Sequence, residues 1–75
     1  MQNYKNLSGD SGVVAYEIAG DSIVIQFEKG GAYLYNNSMP GPYAVNQMKS
    51  LAKSGVGLNT FINQHVRKNY ARKLI

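Results

Sequence analysis

The sequence predicts an α+β fold: a three-stranded antiparallel β-meander followed by two α-helices packed on one of its faces, in the order βββαα. Three observations carry this expectation. Residues 13–36 hold three short runs of β-branched and aromatic side chains, separated by Gly20-Asp21 and Gly30-Gly31. Residues 42–72 replace that alternation with the three-four spacing of helices. A chain of 75 residues without Cys has room for one core and no disulfide to staple it.

Residues 1–12 read as a flexible lead-in to a single domain over 13–75. Their Gly, Ser and Asn supply turn chemistry and little to bury, with Leu7 as the lone anchor. The first two strands cover 13–19 and 22–28. A two-residue Gly20-Asp21 turn pairs Ile18 with Ile23, Tyr16 with Ile25 and Val14 with Phe27, which gathers these six apolar or aromatic residues on one face. Ala15, Glu17, Val24, Gln26 and Glu28 take the other. The third strand is 32–36. A two-residue Gly30-Gly31 turn sets Leu34 opposite Phe27 in the core. A three-residue turn with a G1 bulge sets Tyr33 there instead and turns Tyr33 and Tyr35 inward; glycine suits both.

Pro40, Gly41 and Pro42 end the sheet, and Pro42 opens a helix over 42–53. Val45, Met48, Leu51 and Ala52 form its apolar stripe, with Lys49 and Lys53 on another face. Gly55 suits its left-handed C-cap. Asn59 is the expected N-cap of a second helix over 60–72. The stripe of that helix is Phe61, Ile62, a partly buried His65, Val66 and Tyr70, and Arg67, Lys68, Arg72 and Lys73 lie opposite.

Charge divides the chain. Residues 1–28 carry Lys5 against Asp10, Glu17, Asp21 and Glu28, a net of −3; residues 29–75 carry seven Lys and Arg and no acid, a net of +7. No apolar run approaches the ~20 residues that cross a bilayer. The first twelve residues lack the apolar core of a signal peptide, so the expectation is a soluble, cytoplasmic protein without a membrane role. One His and no acid beyond Glu28 leave no nucleophile–His–acid set and no protein-built metal site, so neither enzyme nor cofactor is expected.

From Tyr16 to Tyr70 the chain resembles the KTSC domain, named for the C-terminus of some bacterial lysyl-tRNA synthetases and also found as free-standing small proteins. The resemblance rests on Tyr16, Phe27, Gly30-Gly31, Tyr33-Leu34-Tyr35 for the family's Y-x-Y, and Met39-Pro40 for its V-P pair. Tyr43 follows, and Phe61-Ile62-Asn63, Val66-Arg67 and Tyr70 resemble its F-F-N-x-x-I-R-x-x-Y ending. Two features depart from the pattern. Residues 54–60 are longer than the family's S-x-G link, and Leu34 replaces a polar residue between the tyrosines. The resemblance implies inward-facing Tyr33 and Tyr35 and therefore the bulged turn, with Leu34 exposed or covered by a partner.

These features point first to a small non-catalytic module that binds nucleic acid, RNA ahead of DNA. Clustered cations without acids neutralise phosphates, so Arg67, Lys68, Arg72 and Lys73 are the phosphate contacts, with Lys49 and Lys53 extending the track. Tyr43 or Tyr70 stacks on unpaired bases. Asn63 and Gln64 reach bases or ribose, although Asn63 also suits the backbone groups of the glycine-rich link. The same charges equally suit a solvated helix face. A second reading is a protein-interaction adaptor or inhibitor of an acidic partner; a third is a binder of a small anionic nucleotide. A monomer or a dimer paired through the edge of the third strand fits each.

Overall fold

The computed structural model describes every residue except Asp10. It is an α+β fold with one antiparallel five-stranded sheet whose strands neighbour one another in chain order. Strands β2 (Val13–Ile18), β3 (Ser22–Phe27) and β4 (Ala32–Asn36) form its centre. Short strands β1 (Gln2–Asn3) and β5 (Arg72–Lys73) complete its edges. Helix α1 (Pro42–Ser54) and the short α2 (Leu58–Phe61), which runs into a π-helical segment Ile62–Val66, cover one face. Five strands thus replace the expected three. The two added ones are polar dipeptides with no periodicity of their own, held by pairing to β2 and β4.

The Gly20-Asp21 hairpin has the expected register next to the turn, Ile18 opposite Ile23 and Tyr16 opposite Ile25. Further on, a bulge between Val13 and Ala15 sets Val13, not Val14, opposite Phe27. Val14 is therefore 39% exposed and Val13 takes its place in the core. Backbone bonds fix the bulge from both sides: Tyr4 N–H donates to Val14 O and Glu28 N–H to Gly12 O.

Between β3 and β4 the turn has three residues, but they are Glu28, Lys29 and Gly30 instead of the expected Lys29, Gly30 and Gly31. Phe27 N–H donates to Gly31 O across Glu28, Lys29 and Gly30. Tyr33 consequently faces Ile25, not Phe27, and Tyr35 faces Ile23. The shift is two residues, so parity is preserved and both tyrosines stand on the core face. Leu34 stands on the opposite face, half-buried rather than exposed.

The core joins Ile23, Ile25 and Tyr35 of the sheet to Val45, Met48 and Ala52 of α1 and to Leu58, Ile62 and Val66. Pro42 begins α1, and Gly55, at φ 81°, ends it in the left-handed conformation with its N–H on Leu51 O. A Cβ on Gly55 would also lie 2.6 Å from Lys5 Cβ, so this glycine admits the N-terminal strand segment. That segment is no mere lead-in. Tyr4, not the exposed Leu7, enters the core at 6% exposure, and its hydroxyl accepts the Leu58 N–H at 3.3 Å.

The second helix begins after Gly57, not Asn59, and it stops at Val66 rather than Arg72. Arg67 N–H donates to Ile62 O five residues back, and Arg67 then leaves the helix at φ 52°, ψ −116°. Tyr70 reaches the core from the following loop, and Ala71 N–H docks on Leu34 O. The edge of β4 is thereby occupied by β5 at Tyr33 and Leu34, so the third strand is not the edge of the sheet there.

Tyr4→Ala should lower stability by ~3–5 kcal/mol, the cost of deleting a buried aromatic, and Tyr4→Phe by ~1 kcal/mol, the loss of one hydrogen bond. Urea unfolding followed by circular dichroism measures both. A dispensable lead-in would leave both midpoints unchanged.

Candidate nucleic-acid interface

An open groove of about 910 Å³ runs between the β4 end of the sheet and the π-helical segment. Its position follows from the fold. Tyr33 and Tyr35 turn toward the helices, Tyr70 folds back onto them, and the chain from Asn63 to Asn69 forms the facing wall. Phe27, Tyr33, Tyr35 and Tyr70 line it as a connected aromatic cluster. Tyr33 lies 4.6 Å from Tyr70 in a tilted pair and 5.7 Å from Phe27 edge to face, and Tyr35 meets Tyr70 at 6.5 Å.

Cations rim this aromatic floor. Lys29, Arg67 and Lys68 line the groove, and Lys73 Nζ sits 5.8 Å from the centre of the Tyr33 ring. Among the described residues no Asp or Glu lines it. Asn63, Gln64 and Asn69 add exposed amides. Arg67 holds its place through a positive φ, which costs a residue with a Cβ about 1–3 kcal/mol. The π-helical turn ahead of it is a widened form that is frequent at functional sites.

The structure gathers some of the expected contacts and scatters others. Arg67, Lys68 and Tyr70 share the groove. Arg72 and Lys73 are not on a helix but on β5, where alternation sends them to opposite faces: Lys73 pairs with Tyr33 on the groove side and Arg72 with Leu34 on the other. Lys49 and Lys53 do not extend the track. The Lys49 ammonium donates to Gly20 O at 2.9 Å, and Lys53 flanks a separate depression with Gln2, Tyr16 and Glu17. Tyr43 is 75% exposed at the start of α1, away from the groove. Pro40 belongs to the β4–α1 connection, where its preceding peptide is cis, and Tyr16 and Phe61 pack against the core.

Two residues differ from their expected surroundings. His65 is exposed rather than partly buried; it stacks on Phe61 at 5.0 Å and lines the groove. Asn63 points to the groove and makes no hydrogen bond to the glycine-rich link among the described residues. Sequence reasoning passed over Lys29 and Asn69 as site residues. The one signal for Lys29 was its place beside the diglycine turn, at the start of the acid-free half.

Burial pushes the Tyr35 phenol from its usual 10 up to about 12, and the neighbouring phenols of Tyr33 and Tyr70 add to the shift. Tyr35 is 1% exposed yet borders the groove, so it keeps its proton at any physiological pH and offers the groove a neutral hydroxyl.

No known protein family, curated protein or solved structure matches the chain.

The Tyr35 shift has a readable consequence. The folded state holds this proton after the unfolded chain has released it, so stability declines as pH rises from about 10 to about 12. Phenolate absorbance should show a late phase near pH 12 from Tyr35, at or just before alkaline unfolding. Tyr35→Phe should abolish that late phase and reduce the stability decline.

Proposed function

We propose that the protein is a small non-catalytic module that binds single-stranded RNA in the groove between β4 and the π-helical segment. The observation that carries the reading is the junction of four cations (Lys29, Arg67, Lys68 and Lys73) with a floor of four aromatic rings. Phosphates need the cations, and unpaired bases need the rings; duplex bases would present neither face to them. Arg67 and Lys68 take consecutive phosphates, Lys29 and Lys73 the flanking ones, and Tyr70 with Tyr33 receives a base. Asn63, Gln64 and Asn69 supply donors and acceptors for base edges or the 2′-hydroxyl. The resemblance of residues 16–70 to the KTSC domain supports RNA over DNA, because that family is named for its attachment to a tRNA-charging enzyme.

The reading predicts the salt response. Four phosphate contacts on a single strand give a slope of log K against log salt of about −3. Fluorescence anisotropy with a labelled single-stranded RNA of mixed sequence measures it. Lys68→Ala and Arg67→Gly, the latter compatible with the positive φ, should each weaken binding several-fold and flatten the slope by about 0.7. Lys53→Ala should leave both unchanged. No binding at low salt, or an equal loss with Lys53→Ala, would overturn the reading. Competition to completion by a mononucleotide would replace the strand with a single nucleotide as the ligand.

A further inference from the structure

The face of the sheet turned away from the helices carries a pattern that no groove contact explains. Strand pairing sets four side chains in one row across β2, β3, β4 and β5: Glu17, Val24, Leu34 and Arg72. Tyr16 and Ile18 on β2, Ile23 and Ile25 on β3, and Tyr33 and Tyr35 on β4 pack with the core. By alternation the row therefore stands on the uncovered face. Both ends are charged, with opposite sign, and both central residues are apolar and half-buried. The next row holds Ala15, Gln26 and Ala32. Leu74, 45% exposed, extends that row, since its N–H donates to Ala32 O.

We propose that this face binds a second copy of the chain, forming a twofold dimer of sheets packed face to face. A twofold axis parallel to the strands, midway between β3 and β4, superposes β2 of one copy on β5 of the other, and β3 on β4. Glu17 then meets Arg72 of the second copy, and Val24 meets Leu34, each contact occurring twice as an isologous interface requires. In the adjoining row Ala15 and Ala32 are already buried within the chain, so Gln26 and the exposed Leu74 are the side chains that reach the second copy. Charge is thus complementary under one operation. An axis perpendicular to the strands instead sets Glu17 on Glu17 and Arg72 on Arg72, which like-charge repulsion disfavours. Aligned packing of this kind holds two sheets ~10 Å apart, within reach of an Arg–Glu pair.

Two further features favour a copy of this chain through its face. Both sheet edges are two-residue strands, β1 and β5, which offer little ladder for strand addition, whereas the face is broad. The Glu17 side chain is 62% exposed although its carboxylate lies 3.5 Å from the Met1 ammonium, so it remains available to a partner. Four strands at ~4.8 Å spacing make a patch only ~15–20 Å wide, smaller than a permanent interface. The dimer is accordingly a weak one that fills only at high protein concentration.

Sedimentation velocity from about 5 µM to about 1 mM, the micromolar-to-millimolar span of weak association, tests it. The wild type should shift from monomer to dimer. Leu34→Asp should be monomeric throughout, with its far-ultraviolet circular dichroism unchanged. Glu17→Arg alone and Arg72→Glu alone should each lose at least about tenfold in dimer affinity. Mixed one to one they should recover it. At one end of the mixed dimer the arginine introduced into the first copy faces the glutamate introduced into the second. At the other end the unchanged Arg72 of the first copy faces the unchanged Glu17 of the second. A wild type that stays monomeric at the top concentration, or a mixture no more associated than its components, would overturn the proposal. RNA affinity in the groove is measured separately and is expected to be unchanged in Leu34→Asp, so either proposal can fail without the other.

Discussion

Tyr33 and Tyr35 face the helices because Ile25 and Ile23 stand opposite them on the central strand, and those two isoleucines are fully buried under α1. A strand has only two faces, so this pairing fixes every neighbour. Leu34 must turn outward, Lys73 must follow Tyr33 and Arg72 must follow Leu34. The groove owes its aromatic floor to this parity, and the opposite face owes to it a row with a charge at each end. A one-residue slip of β4 would carry Leu34 into the core, expose both tyrosines and exchange the faces of Arg72 and Lys73. Burial of two large rings and two isoleucines makes that slip costly, since each large side chain gains ~1.5–3 kcal/mol from full burial.

The helical wall depends on a second constraint, where the second helix stops. Ile62 and Val66 are both buried and both belong to the widened π-helical turn, which Arg67 closes at positive φ. Had the helix continued to residue 72, Arg67, Lys68 and Arg72 would project into solvent along a convex surface. Its stop at Val66 instead returns the chain to the sheet, so that Tyr70 packs on Tyr33 and residues 72–73 pair with β4. The local cost at Arg67 is offset by burial of Val66 and Tyr70 and by the backbone bonds of Ala71 and Leu74 to β4. A concave surface results where a regular helix would have made a convex one.

Much of this was legible in the residues themselves. The Gly20-Asp21 hairpin was readable because turn chemistry and alternation are both local and agree. The α1 stripe and its Gly55 cap were readable for the same reason. The bulge at Val14 was not, because adjacent valines satisfy either register and the choice is made by Tyr4, ten residues away in sequence. Tyr4 itself lies among polar residues, where a lone aromatic gives no period. The end of the second helix was invisible: residues 62–70 contain no Gly or Pro, and Arg67 adopts a conformation that sequence normally announces with Gly. The expected placement of Arg72 and Lys73 fails at that point. Arg72 and Lys73 counted as one helical patch because both were assigned to a helix that does not reach them.

The charge asymmetry of the chain takes a different meaning in consequence. Seven cations without an acid, spread over residues 29–75, suggest one continuous basic surface. Folding divides them by geometry into groups with different neighbours. Lys29, Arg67, Lys68 and Lys73 surround the aromatic groove. Lys49 is spent on a backbone carbonyl at the β2–β3 turn, and Lys53 stands over the β1–β2 edge near Glu17. Arg72 stands alone on the far face, aligned with Glu17 across two apolar residues. The first group is the one the proposed RNA reading uses, because cations close together act on neighbouring phosphates. A cation three strands from an anion is complementary to the inverse pattern, which the same face presents when rotated by half a turn.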